Sequence, residues 1–335
     1  MIRSSFAARR QFIRMVSTKS NLISRPFDIE NTQIIRETVN KFPRPNFISF
    51  DLFGTLYDPK KSVPEQYYDI AHHEFGIDKS IEEINAEFPI VYDEMMKQYP
   101  NYGKGFDKFD NCDQWWLELI IRLFKLDRHD EKALALCHRL IHHFTTDEAY
   151  FVYDDVIPTL QGLEERGIKL VVGSNSDLRA LTILESLKLK KYFHCSEHFH
   201  CSGIFLSYSS GDAKPTKEFF DRIALTEYKA QINEHFRGKH APGQFLANCW
   251  HVGDSYSNDF IGAVRAGWNG ILIDRNYSSD FFSKVKKPQN EGCFLDAKPE
   301  DLIDKDKKKK NKDMIILANN RVVITKLTQL LDLFG

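Results

Sequence analysis

Phe47-Ile48-Ser49-Phe50-Asp51-Leu52-Phe53-Gly54-Thr55-Leu56 is the stretch that decides the fold. A short apolar run ends in a carboxylate, and a glycine-containing turn follows. Such a run reads as a buried strand of a parallel sheet. Ligands of open α/β sheets bind beyond the carboxyl ends of the strands. Asp51 stands at that place and is a candidate nucleophile or metal ligand. Further along, the pattern returns. Ile168 to Val172 runs into Gly173-Ser174-Asn175-Ser176-Asp177, and Cys249-Trp250-His251-Val252 runs into Gly253-Asp254. Ile204-Phe205-Leu206 and Gly270-Ile271-Leu272-Ile273 are two more strands, and Arg321 to Ile324 is a last one before a helix over Leu327 to Leu333. Helical stripes lie between them, at Ile157 to Gly167, Leu181 to Leu187, Phe219 to Ile223 and Ile261 to Ala266. The alternation predicts a doubly wound α/β fold with a mainly parallel sheet and right-handed crossovers.

Between Ser62 and Tyr150 the period changes. Four stripes at helical spacing follow one another: Tyr67 to Phe75, Ile81 to Met95, Trp115 to Phe124 and Ala133 to Phe144. No strand pattern intervenes, so residues 61–150 read as an inserted helical domain on a core formed by 46–60 and 151–335. In this reading Trp115 and Trp116 belong to the core of the insert, and His72, His73, His142 and His143 to its surface.

The chain has 335 residues, a formal net charge of -1 and 42% apolar content, which is the composition of a soluble globular protein. The charge balance predicts no nucleic-acid partner, and no apolar run is long enough to span a membrane. Six irregularly spaced cysteines do not form a disulfide framework. Residues 1–26 carry six Lys or Arg, several serines and no acid, which predicts a mitochondrial transit peptide. His194, Cys195, His198, His200 and Cys201 crowd one stretch, but their spacing fits no standard zinc pattern and predicts a polar loop. Lys305 to Lys312 is a run of like charge, read as a solvated loop.

Four groups recur at or just after strand ends: Asp51, Ser174, Lys214 and the pair Asp254/Asp259. Together they can surround one small anion. An aspartate can take a phosphoryl group as an aspartyl phosphate, and such transfer depends on positioning and charge neutralisation. Lys214 would supply fixed positive charge. Asp51 and Asp254 would hold Mg²⁺, a hard cation that favours carboxylates and water.

With these residues the chain resembles the haloacid dehalogenase-like (HAD) hydrolase superfamily. Asp51-Leu52-Phe53-Gly54-Thr55-Leu56 matches its first motif, Gly173-Ser174-Asn175 the second, Lys214-Pro215 the third, and Gly253-Asp254 with Asp259 the fourth. The helical insert sits where that family places its cap. The resemblance implies Asp51 as nucleophile with Lys214 as its catalytic partner. It implies Thr55, Ser174, Asn175 and Lys214 as phosphate-binding residues. Asp51, the Phe53 backbone carbonyl, Asp254 and Asp259 would be the Mg²⁺ ligands, and the substrate a small phosphorylated metabolite.

Phe53 departs from the pattern. Family phosphatases carry an aspartate there as general acid and base, and phenylalanine can do neither. The 2-haloacid dehalogenase branch has an aromatic residue at this place and uses no metal. Asp254 and Asp259 point the other way, because a carboxylate pair would repel a carboxylate substrate without a cation between them. The expected function is therefore Mg²⁺-dependent phosphatase chemistry. The alternatives are dehalogenase-type hydrolysis through an aspartyl ester, and a weak or inactive family member that binds a ligand or partner.

Overall fold

The structure is a computed structural model that describes residues 42, 44–193, 203–234, 242–277, 279, 281, 314–318 and 321–335. The basic leader, the His194–Cys201 cluster and the Lys305–Lys312 run lie outside the described residues. No helix among the described residues is long and apolar enough to cross a membrane.

In chain order, β1 (Phe47–Phe50) leads through a turn to β2 (Tyr57–Pro59). Helices α1 (Val63–Tyr68), α2 (Ile81–Gln98), α3 (Cys112–Phe124) and α4 (Glu131–His143) form the insert, and β3 (Tyr150–Val152) leaves it. The core resumes with α5 (Val156–Glu165), β4 (Leu170–Ser174), α6 (Arg179–Ser186) and β5 (Ile204–Leu206). It ends with α7 (Lys217–Glu234), β6 (Cys249–Gly253), β7 (Asn269–Ile273), β8 (Ile315–Ala318) and β9 (Arg321–Ile324).

Seven strands form one sheet in the order β5-β4-β1-β6-β7-β9-β8, parallel throughout except for the β8–β9 edge pair. β1 lies between β4 and β6, with Phe50 opposite both Val172 and Val252. This register brings the residues just past those three strands to one edge. Both faces of the sheet are covered, so its central strands are mostly apolar. Ile48 and Phe50 pack with Leu160, Leu163 and Trp250 on one face. Phe47 and Val171 pack with Phe219, Phe220 and Trp268 on the other. Burying each such side chain contributes about 1.5–3 kcal/mol.

The insert is helical because its apolar stripes repeat at helical spacing and its helices are capped. Ser62 and Ser80 each accept the N–H of the glutamate three residues on, and Glu65 and Glu83 return a bond to the cap N–H. Trp115 is fully buried in this unit, as expected, with its indole N–H donated to the Tyr99 carbonyl at 3.0 Å. Trp116 differs, because its N–H reaches the core at Asp177. His72, His73 and His142 are exposed, but His143 is half-buried and bonds Gln66 Oε1 at 2.6 Å. Its surface assignment is thereby corrected; Gln66 is itself buried and needs a partner for its amide oxygen.

Two features were not anticipated. The antiparallel pair β2–β3 forms a two-stranded stem at the base of the insert. The strand β8 adds an antiparallel edge to the sheet.

Candidate active site

At the carboxyl edge, Asp51 follows β1 directly and Ser174 is the last residue of β4. Asp254 follows β6, and Asp259 sits in the wide turn Tyr256–Ile261 that begins two residues later. Two glycines make the approach possible. Gly54 has φ +75°, and a Cβ on it would lie 2.4 Å from Asp254 Oδ2. A Cβ on Gly253 would lie 2.2 Å from Asp259 Cγ.

Lys214 is the centre of the arrangement. Its buried ammonium donates to Asp51 Oδ1 at 2.7 Å and to Asp259 Oδ1 at 2.5 Å. Asp259 Oδ1 also accepts from His251 Nε2 at 2.9 Å, and Oδ2 accepts the Ser255 N–H at 2.9 Å. On its other ring nitrogen, His251 meets Ser49 Oγ at 3.0 Å. Ser49 and His251 are register partners on β1 and β6, so a polar chain links the two strands just before Asp51. Ser174 Oγ lies 2.9 Å from Ser176 Oγ.

The charges are unequal. The ligand oxygens of Asp51, Asp254 and Asp259 all lie within 4.8 Å of one another. Lys214 is the cation that hydrogen-bonds into this group. Burial raises the Asp51 pKa and Lys214 draws it back, while Asp259 raises it further. Asp254 is pushed up to about 7, by lost hydration first and then by Asp51 and Asp259. Asp259 is also penalised by burial, but Lys214 and His251 hold it well below the usual carboxylate range. Burial works against the charge on Lys214, yet Asp259 and Asp51 raise its pKa; burial lowers that of His251. Three close carboxylates with one ammonium form an all-oxygen donor set that fits a hard divalent cation.

Other expected site residues are placed differently. The Asn175 amide is engaged at both ends by the Lys214 backbone: Nδ2 donates to its carbonyl at 2.8 Å, and Oδ1 accepts its N–H at 2.7 Å. The Asn175 amide thus holds the Lys214 loop in place. Thr55 is fully buried, and its hydroxyl has no partner among the described residues. Around Phe53, the N–H groups of Thr55, Leu56 and Tyr57 converge on the Leu52 carbonyl and leave that of Phe53 aside. Phe53 is 47% exposed, two residues after Asp51, and its ring meets Tyr57 edge-on at 6.4 Å. Sequence reasoning missed Ser49 and His251; their signal was two polar residues inside strands with no exposed face.

The family model for haloacid dehalogenase-like hydrolases matches residues 46–267. An uncharacterized protein of Saccharomyces cerevisiae, YMR130W, is 32% identical over 307 residues, spanning 88% of this chain and 95% of the yeast protein. Haloacid dehalogenase-like hydrolase domain-containing protein 3 of Bos taurus is 26% identical over 229 residues, 68% of this chain and 80% of that one. Among solved structures, the HAD hydrolase YfnB from Bacillus subtilis aligns with a TM-score of 0.49 and 15% identity over 70% of this chain and 91% of its own. The chain belongs to the haloacid dehalogenase-like hydrolase family.

Proposed function

We propose that the protein is a Mg²⁺-dependent phosphatase of small phosphorylated metabolites, working through an aspartyl-phosphate intermediate on Asp51. The observation that carries this reading is the charge balance: among the described residues, three clustered carboxylates meet one buried lysine, which pairs with Asp51 and Asp259. Such a site suits a phosphoryl group only when a cation accompanies it, and it repels a bare carboxylate substrate. Asp51 and Asp254 would hold the Mg²⁺ with the Phe53 carbonyl, and Asp259 borders them. Bound there, the ion would neutralise charge between the carboxylates and the phosphoryl oxygens.

The chain's own residues divide the remaining work. Asp51 attacks phosphorus and carries the phosphoryl group until water releases it. Lys214 keeps the carboxylate oriented and offers positive charge to the incoming group. Ser174, the last residue of β4, offers its hydroxyl to a phosphoryl oxygen. Phe53 supplies no proton, so substrates with good leaving groups are favoured.

Dehalogenase-type hydrolysis is the second reading, and the aromatic Phe53 is the observation that favours it. A screen of purified protein for phosphate release from phosphorylated metabolites, with Mg²⁺ and with EDTA, separates the two. Phosphate release that needs Mg²⁺ and is lost in Asp51→Asn supports the first. Halide release from 2-haloacids in EDTA, without phosphatase activity, overturns it in favour of the second.

A further inference from the structure

The loop that carries Ser174 continues to Asp177 and Arg179, and these two meet the insert. The Arg179 guanidinium lies 4.0 Å over the Trp116 ring. Asp177 accepts from Arg179 Nε at 3.1 Å and from Nη2 at 3.0 Å, and the same carboxylate accepts the Trp116 indole N–H at 2.7 Å. The fork is therefore fixed in its plane on one edge by Asp177, and one face is covered by Trp116. Its outer edge differs. Nη1 has no hydrogen bond to a described residue. A guanidinium has five N–H donors in a planar fork, and that edge matches a second planar anion.

Other groups lie around this pair. Tyr57 is buried at the base of the insert, and its hydroxyl has no hydrogen bond to a described residue. It senses the charge of Asp51 as well as that of Asp177 and Arg179.

We propose that Arg179 is a specificity residue that binds a carboxylate on the substrate, so that the preferred substrate is a small phosphorylated acid. This rests on the phosphatase reading of Asp51. The acidic cluster explains why such a residue is needed. A carboxylate near Asp51, Asp254 and Asp259 is repelled, and Lys214 is already shared by two of them. A phosphorylated acid binds only if its far end meets separate positive charge, which the core supplies at Arg179. Trp116 makes that charge depend on the insert being seated on the core, so the subsite is complete only in the closed arrangement.

The test is a series of phosphorylated ω-hydroxy acids of two to five carbons, each paired with a neutral phosphate ester of equal length. The wild type should favour the acid at one chain length by on the order of 10–100-fold in kcat/KM, the range of a hydrogen-bonded charge pair. Arg179→Met should collapse that ratio through KM, and Arg179→Lys, which keeps the charge but not the fork, should restore part of it. A wild-type ratio near one at every length, or a ratio that survives in Arg179→Met, overturns the proposal. Equal losses on acid and ester would mean that Arg179 serves only to dock Trp116. Melting shifts on the Asp51→Asn protein give a readout independent of turnover. If that protein is stabilised by the acids no more than by the esters, the subsite is refuted. If it prefers the acids while the wild type turns over neither acid nor ester, the phosphatase reading fails and the subsite stands.

Discussion

On the proposed phosphatase reading, replacing Phe53 with aspartate should supply the general acid that the site lacks. The cost to the fold is small, because the ring is 47% exposed. About half of the 1.5–3 kcal/mol of a buried phenylalanine is at stake, together with one edge-on contact to Tyr57. A loss of roughly 1–2 kcal/mol follows, or about 1–3 °C in Tm for a protein of this size. The new carboxylate would enter beside the acids that already push Asp254 up to about 7. The same field would raise its own pKa, and a proton held near neutral pH is what a general acid needs. The rate on a simple alkyl phosphate should rise towards the general-acid range of about 10²–10⁴-fold, less whatever imperfect placement costs. An acyl phosphate, whose leaving group needs no proton, should gain little. The assay is the ratio of the two kcat changes, with circular dichroism to confirm folding. Equal changes on both substrates, or losses on both with the fold intact, would refute the reasoning and make Phe53 a pocket-shaping residue.

Further outcomes follow from the same charges. In EDTA the raised Asp254 pKa means that the folded state binds more protons than the unfolded state between about pH 4 and 7, so Asp254 makes stability fall as pH rises through that window. Asp254→Asn should flatten this part of the Tm–pH curve and remove any stabilisation by Mg²⁺; an unchanged curve would exclude the like-charge account. His251→Phe leaves Asp259 without one donor and Ser49 without its partner, so a loss of about 1–3 kcal/mol is expected, with kcat falling more than KM rises. His251→Gln, which can still donate to Asp259, should recover part of both, and no recovery would mean that ring packing alone matters. Lys214→Met leaves two buried carboxylates unpaired, and a penalty of about 3–5 kcal/mol is expected in EDTA. Denaturant midpoints would show it, and an unperturbed midpoint would count against the pairing.

The sheet was legible because strands buried on both faces appear as apolar runs. Phe47–Phe50, Cys249–Gly253 and Asn269–Ile273 have every residue buried, and their ends could be read to within a residue or two. The stem strands Tyr57–Pro59 and Tyr150–Val152 were not legible, because three residues with mixed exposure carry no period. Asp51, Lys214 and the two acids after β6 were visible as residue types at strand ends. Their partners were not. Asn175 looks like an anion ligand by position, but only coordinates show its amide closed on the Lys214 backbone. His251 sits in an apolar strand, and nothing local to it announces Asp259, which lies beyond a wide turn.

Local strain shows how the insert reaches the site. Asn101, Tyr102 and Gly103 have φ of +50°, +55° and +76°, three successive residues in the left-handed region. Two of them have side chains that find this costly, at about 1–3 kcal/mol each. Such a conformation persists only where contacts impose it. Here Asn101 donates to the Ser207 carbonyl at 2.9 Å and the Tyr102 hydroxyl to the Asn175 carbonyl at 3.0 Å. Asn175 is the residue whose amide positions Lys214. The insert thus touches the backbone of the loop that sets the lysine beside the nucleophile, and Trp116 touches the same loop two residues on. Lifting the insert from the core would release both contacts together. The seating of the insert and the placement of Lys214 are therefore mechanically linked through three consecutive core positions, 175 to 177. Contacts that merely covered the site would not need a strained turn aimed at that carbonyl.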